Sequence, residues 1–226
     1  MLGRSGGHPG SSTVRMRHMA DLSAFQAWIA ESARTLGEQA TYLTDLDRAI
    51  GDGDHGSNMD RGFSACAELA EAEEFPSVDA YLKKVGMVLV STVGGASGPL
   101  YGTFFLRLAG PLAAPGEIGA RQMGQALRAG VDGIVARGKA ERGDKTMYDA
   151  FAPALEAYEQ AAAEGRGLSD CLTAAAGAAR EGRDATEQMI ARKGRASYLG
   201  ERSAGHLDPG ATSATLLLEA AAQALR

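Results

Sequence analysis

Cysteine is scarce: Cys66 and Cys171 are the two in 226 residues, and both sit in alanine-rich helical patterns. They read as small buried apolar side chains, no disulfide framework is implied, and a reducing cytoplasm is the expected setting. No hydrophobic run is long enough to span a bilayer, so a membrane role is not expected. Residues 1–20, rich in Gly, Ser and Arg, lack the apolar stretch of a secretory signal. They read as a disordered extension, an expression remnant or an over-called start with Met19 as the alternative first residue. An excess of positive charge is missing too, with 23 Lys and Arg against 28 Asp and Glu and a net charge of −5. That balance argues against nucleic acid as the main partner, because binding there rests on clustered cations. Period-two alternation is absent, which leaves no basis for a sheet. What remains is a chain 45% hydrophobic, enough for one globular domain over residues 21–226 with an ample core.

The periodicity is helical. Phe25, Trp28, Ile29, Ala33 and Leu36 recur at three- and four-residue steps, and Ser23 with Gln26 has capping-box spacing. Further helical patterns cover 41–50, about 60–73, and a segment opening after Ser77 with Val78, Leu82, Val85 and Leu89. The β-branched tail of that segment, up to Val93, suits a strand by propensity, but the helical phase continues through it. Others hold Phe104, Phe105 and Leu108, then cover roughly 117–136, 147–163, 168–192 and 209–225. Pro153 requires its helix to start nearby or to kink there. The expected class is all-α, about eight helices joined by glycine-rich loops.

One stretch organises the rest: Leu46-Asp47-Arg48-Ala49-Ile50-Gly51-Asp52-Gly53-Asp54-His55-Gly56-Ser57-Asn58-Met59. The acids Asp47, Asp52 and Asp54 are five and two residues apart, so they cannot share a helical face. Glycines let the chain fold back and bring them together, and three converging carboxylates repel unless a cation sits among them. Oxygen donors without a Cys/His set favour Mg²⁺ or Ca²⁺ over zinc. Gly51 to Gly56 matches G-x-G-x-x-G, but a helix precedes it where a dinucleotide fold needs a strand, and two aspartates would repel bare pyrophosphate. An EF-hand beginning at Asp52 also fails, since Phe63 stands at the twelfth position where Glu is needed.

Three further glycine-rich loops run over 94–98, 138–147 and 194–213. Such loops let backbone N–H groups approach a ligand, and the helix starts that follow are ready anion sites. No G-K-[ST] ending follows Gly98, so the first is not a Walker A loop. Lys139, Lys145, Arg195 and Arg202 are the anion partners at hand, although each lysine suits a solvated surface equally well. His55 and His206, inside these loops, suit a site. Met147, Tyr148 and Phe151 fit the core better than a wall against a base, while Met147, at a loop end, suits either.

At these residues a family resemblance emerges. The acidic phrase, Gly94-Gly95-Ala96-Ser97-Gly98-Pro99-Leu100-Tyr101-Gly102, Gly138-Lys139-Ala140 through Gly143-Asp144-Lys145-Thr146-Met147, and Arg202-Ser203-x-Gly205-His206-x-Asp208-Pro209-Gly210-Ala211-x-Ser213 together resemble the nucleotide-binding L subunit of dihydroxyacetone kinases. Arg142 departs from the pattern, standing where the family phrase has proline. The resemblance implies a barrel of eight mostly antiparallel amphipathic helices with ADP or ATP and two Mg²⁺ at one end. It implies that Asp47, Asp52 and Asp54 hold the metal. His55, Gly56, Ser57, Asn58, Ala96, Ser97, Gly138, Met147, Arg195 and the turn Asp208-Pro209-Gly210 would line the nucleotide. The substrate would be carried covalently on a histidine of a separate K subunit. The phosphoryl group would come from a phosphohistidine protein of the phosphotransferase system that recharges bound ADP, or from exchanging ATP in a kinase for dihydroxyacetone or another short ketose. A non-catalytic nucleotide-binding module is the competing class, and a homodimer stays open.

Overall fold

The computed structural model describes residues 19–226 apart from Pro115. The expected extension therefore lies, for residues 1–18, outside the described residues. Its last residue does not: Ala20 is buried and exchanges two backbone hydrogen bonds of 2.9 Å with Ile118, an isolated bridge.

Among the described residues there are ten α-helices and no strand. They are α1 (Leu22–Glu38), α2 (Ala40–Ile50), α3 (His55–Ala67), α4 (Leu69–Ala72), α5 (Val78–Thr92), α6 (Ser97–Ala109), α7 (Ala120–Gly138), α8 (Met147–Ala163), α9 (Leu168–Ala185) and α10 (Pro209–Ala224). Three 3-10 turns join them, at Gly110–Leu112, Thr186–Gln188 and Arg195–Ser203. The all-α class expected from the periodicity is what the chain adopts, with β-branched Val88 and Val90 inside α5 as the phase required.

Several boundaries moved for local reasons. Asp21, not Ser23, caps α1: its carboxylate accepts from Ala24 N at 3.0 Å and from the Ser23 hydroxyl at 2.7 Å. The helix expected from about 60 begins at His55 and breaks at Glu68, which leaves α4 as one extra turn. The helix expected to reach 192 stops at Ala185, where Thr186 turns the chain and is fully buried.

Eight helices pack in succession, α1 on α3, then α5, α6, α7, α8, α9 and α10, and α10 returns to α1. α2 lies against α3 and α10. The interior is a run of touching aromatics, mostly edge-to-face with Phe104 stacked on Phe151: Phe25 and Trp28 in α1, Phe105 and Phe104 in α6, Phe63 in α3 and Phe151 in α8. All six are fully or almost fully buried, and burying each large side chain contributes roughly 1.5–3 kcal/mol. The Trp28 indole N–H donates to Leu217 O at 2.9 Å, tying α1 to α10.

Pro153 lies inside α8 and does not start it. Its missing N–H leaves the Asp149 carbonyl without its helical donor. Gly182 of α9 packs onto that carbonyl so closely that a Cβ there would lie 2.1 Å from the Asp149 oxygen and 2.8 Å from Pro153 Cγ. The proline thus shapes a notch that only glycine enters. Gly182→Ala is expected to force α8 and α9 apart and lower stability by about 1–3 kcal/mol. Calorimetry would show this as a reduced Tm, and an unchanged Tm would mean that the two helices separate freely.

Candidate functional site

Asp47 stands in the last turn of α2, and the chain turns through Gly53 (φ +74°) before α3 begins. The Asp47 Oδ2 accepts the backbone N–H of Asp54 at 2.9 Å and of His55 at 3.1 Å. A carboxylate seven residues upstream therefore caps α3 and draws the loop back on itself. Asp47, Asp52 and Asp54 each offer an oxygen within 4.8 Å of the other two. Such convergence is unfavourable without a counter-charge. Here the Arg195 guanidinium sits 3.0 Å from Asp52 Oδ2, an exposed pair that solvent screens strongly.

The triad opens into a cleft of about 560 Å³. Residues at the N-terminal ends of four helices line it: Asp54 and His55 of α3, Ala96 and Ser97 of α6, Thr146 and Met147 of α8, and Asp208, Pro209 and Gly210 of α10. Unpaired N–H groups and the positive ends of helix dipoles make such termini favourable for anions. Carboxylates beside a ring of anion-seeking helix ends suit a metal bound to a polyphosphate, the acids taking the cation and the helix ends the phosphate oxygens. Ile50, Leu100 and Met147 add apolar surface to the same cleft.

His55 knits three of these helices together. Its Nε2 lies 2.9 Å from Ser213 Oγ of α10 and its Nδ1 3.2 Å from Ser97 Oγ of α6. Tyr101 continues the network, with its hydroxyl 2.7 Å from Ser213 Oγ. Burial pushes the imidazole pKa down, opposed by the nearby Asp47 and Asp54 carboxylates. Burial also pushes Asp208 up to about 7, against the hydrogen bond it accepts from Ala211 N at 2.7 Å. The loop before α8 is held from within: Asp149 accepts from Gly143 N at 2.6 Å and from Thr146 N at 2.8 Å, and Asp144 accepts from Glu141 N. Arg142, the departure from the proline pattern, pairs with Glu156 at 2.5 Å.

Of the residues singled out in the sequence, Asp47, Asp52, Asp54, His55, Asn58, Ala96, Ser97, Lys145, Met147, Arg195, Asp208, Pro209 and Gly210 line this one cleft. Gly56, Ser57 and Gly138 do not. Gly56 faces α2, where a Cβ would lie 1.9 Å from Ala40 O, Ser57 is exposed with its hydroxyl on Asp54 O, and Gly138 packs on Leu100. His55 belongs to the first turn of α3 and not to a loop. His206 is exposed, and its carbonyl faces Lys145. Leu100, Thr146, Arg192, Lys193 and Tyr198 line the cleft without having been singled out as site residues. Tyr198 lies in the marked segment 194–213 and Lys193 just before it, which was their only signal. A separate depression between α8 and α9, lined by Glu164, Arg166 and Asp170, holds none of the motif residues.

Comparison with known proteins shows the family. The model of the DAK2 domain matches residues 49–223. The chain is 45% identical over 199 residues to the PEP-dependent dihydroxyacetone kinase, ADP-binding subunit DhaL, of Escherichia coli, covering 88% of this chain and 95% of that protein. It is 41% identical to the PTS-dependent dihydroxyacetone kinase, ADP-binding subunit DhaL, of Lactococcus lactis, covering 85% and 92%. Among solved structures, the dihydroxyacetone kinase of C. freundii in complex with AMP-PNP and Mg²⁺ superposes with a TM-score of 0.69 at 26% identity. That alignment covers 99% of this chain, which spans 38% of the length of the C. freundii chain. On a family match that takes in most of its length, Asp52 and Asp54 included, this chain belongs to the DAK2 domain family.

Proposed function

We propose that this chain is the ADP-binding subunit of a PEP-dependent dihydroxyacetone kinase, passing a phosphoryl group through Mg-nucleotide to dihydroxyacetone held on a separate K subunit. The observation that carries the reading is the meeting of the acidic triad with four helix N-termini in one cleft. End-to-end similarity to the DhaL subunits supports the substrate and the two-subunit arrangement. The phosphate source in this reading is a phosphohistidine protein of the phosphotransferase system, which recharges ADP that stays bound. No helix of the described residues is long and apolar enough to cross a membrane, in keeping with the cytoplasm as the place of action.

The donor set fits Mg²⁺: three carboxylates, no thiolate, and oxygens close enough to share an ion. Asp47, Asp52 and Asp54 would hold it, and two such ions fit the number of acids. When bound, Mg²⁺ neutralises the charge of the transferring phosphoryl group, whose loose transition state needs positioning and electrostatics more than covalent help. The rest falls to the chain. The N–H groups at the start of α6 and the Gly210 N–H of α10 would donate to phosphate oxygens, the Ser97 hydroxyl adds a hydrogen bond, and Arg195, beside Asp52, supplies a forked cation. Leu100 and Met147 shield the base from water.

Asp52→Ala should leave circular dichroism unchanged while Mg-ADP affinity falls at least about tenfold; normal affinity would remove the metal assignment. Mg²⁺ with ADP at about a hundred times the dissociation constant should stabilise the fold by roughly 2.7 kcal/mol, and EDTA should reverse the gain. A melting curve indifferent to both would count against the site. The chain purified without added nucleotide and denatured in acid should release near-stoichiometric ADP by chromatography. An empty, folded protein that binds added Mg-ATP would point instead to an exchanging, ATP-dependent kinase.

A further inference from the structure

Lys145 is among the most buried side chains of the described residues, 1% exposed, and burial pushes its pKa down, opposed by the nearby Asp208 and Glu187 carboxylates. Its Nζ lies 2.7 Å from Thr186 O, 3.2 Å from Met189 O and 2.5 Å from His206 O. Three carbonyl acceptors require three N–H donors, and only the ammonium form supplies them. Its backbone is left-handed (φ +63°), a conformation that side-chain-bearing residues hold only when their surroundings impose it. A surface lysine needs none of this.

The three carbonyls belong to the two ends of one segment. Residues 186–206 leave the end of α9, pass over the cleft and return just before α10. Lys145 grips Thr186 and Met189 where the segment departs and His206 where it comes back. Beside it, Gly205 N donates to Glu187 O at 2.7 Å, Ala191 N to Ser203 Oγ at 2.9 Å, and Arg192 N to Asp144 O at 3.0 Å. The tip hangs beyond this neck between Gly194 (φ +65°, ψ −166°) and Gly200 (φ +56°, ψ −129°). At the tip stand Arg195, whose side chain is 70% exposed and touches Asp52, and Tyr198, which is 88% exposed. The tip touches α2 only lightly, with Ala196, Ser197 and Leu199 half-buried, so its placement leans on the neck.

We infer that Lys145 is a positioning residue of the site: its ammonium clamps both feet of the 186–206 segment and so fixes where Arg195 meets a bound phosphate. The inference rests on the nucleotide reading for Arg195, but the clamp itself involves no ligand. Lys145 reaches no phosphate, because all three of its donors are committed to carbonyls.

The full chain serves for the test, with Lys145→Met, Lys145→Arg, Arg195→Ala and the double variant Lys145→Met/Arg195→Ala. Hydrogen exchange without ligand should quicken about tenfold in 186–206 of the Met variant and stay unchanged in α1 and α5, which marks local opening. Its Mg-ADP affinity should fall about tenfold. Arg195→Ala should cost a similar factor in the wild type and almost nothing in the Met variant, since an unplaced arginine has nothing left to lose. Lys145→Arg should restore most of the affinity. If the Met variant fails to fold, Lys145→Gln keeps two donors and should show the same exchange pattern, confined to the segment. Wild-type exchange in 186–206 of either variant, or fully additive losses with Arg195→Ala, would overturn the inference. A wild-type chain that binds no Mg-ADP would instead count against the nucleotide reading, and the exchange result would still decide the clamp.

Discussion

The Asp47 carboxylate is the point on which this structure turns. It accepts the first N–H groups of α3 and at the same time faces Asp52 and Asp54. One oxygen is spent on the fold, and the group as a whole belongs to the site. The positive end of α3 eases the repulsion that three close carboxylates would otherwise carry. The same contact sets α2 against α3, which places His55 to reach α6 and α10. Folding and ligand chemistry thus share one hydrogen-bonded hinge between two helices.

The surrounding architecture serves this end of the molecule unequally. The aromatic interior fills the space between α1, α3, α6 and α8 and reaches the cleft through Tyr101, which packs on Phe63 and bonds to Ser213. Apolar packing and the polar network therefore meet in one side chain. On the far side, the loop before α8 is held by Asp144, Asp149 and the Arg142–Glu156 pair. Where proline would stiffen such a loop through its ring, Asp144 and Asp149 stiffen it through hydrogen bonds to its backbone, and the exposed Arg142–Glu156 pair adds little.

The all-α class was legible because long amphipathic runs such as those of α1 and α5 carry their period openly. The acidic triad was legible because acids at that spacing among glycines have few structural uses. Helix ends were less so. A cap is chosen by whichever side chain reaches the free N–H groups, and Asp21 outreached Ser23, while Asp47 capped α3 from another helix. Gly56, Ser57 and Gly138 sit in conspicuous motifs, yet in this structure their first duty is packing or turning, as the contact of Gly56 with α2 shows. Arg192 went unmarked because nothing in its neighbourhood distinguishes a cleft wall from a surface, and Thr146, although inside the quoted phrase ending at Met147, was given no role of its own. Lys145 was read as equally suited to solvent, since burial of a lysine against three carbonyls from distant positions leaves no trace in local pattern.

The indole of Trp28 and the carbonyl of Leu217 are 189 residues apart. Their bond closes α1 onto α10 across almost the whole described chain, so it forms only once both ends of that stretch are in place. The turn Asp208-Pro209-Gly210 arrives with it. Until then the cleft lacks one of its walls and α1 has no partner on that side. Closure over so long a stretch of chain is slow compared with forming the local helices. The sole tryptophan stands at that seam, so its emission is a built-in clock for the moment at which the protein becomes able to bind.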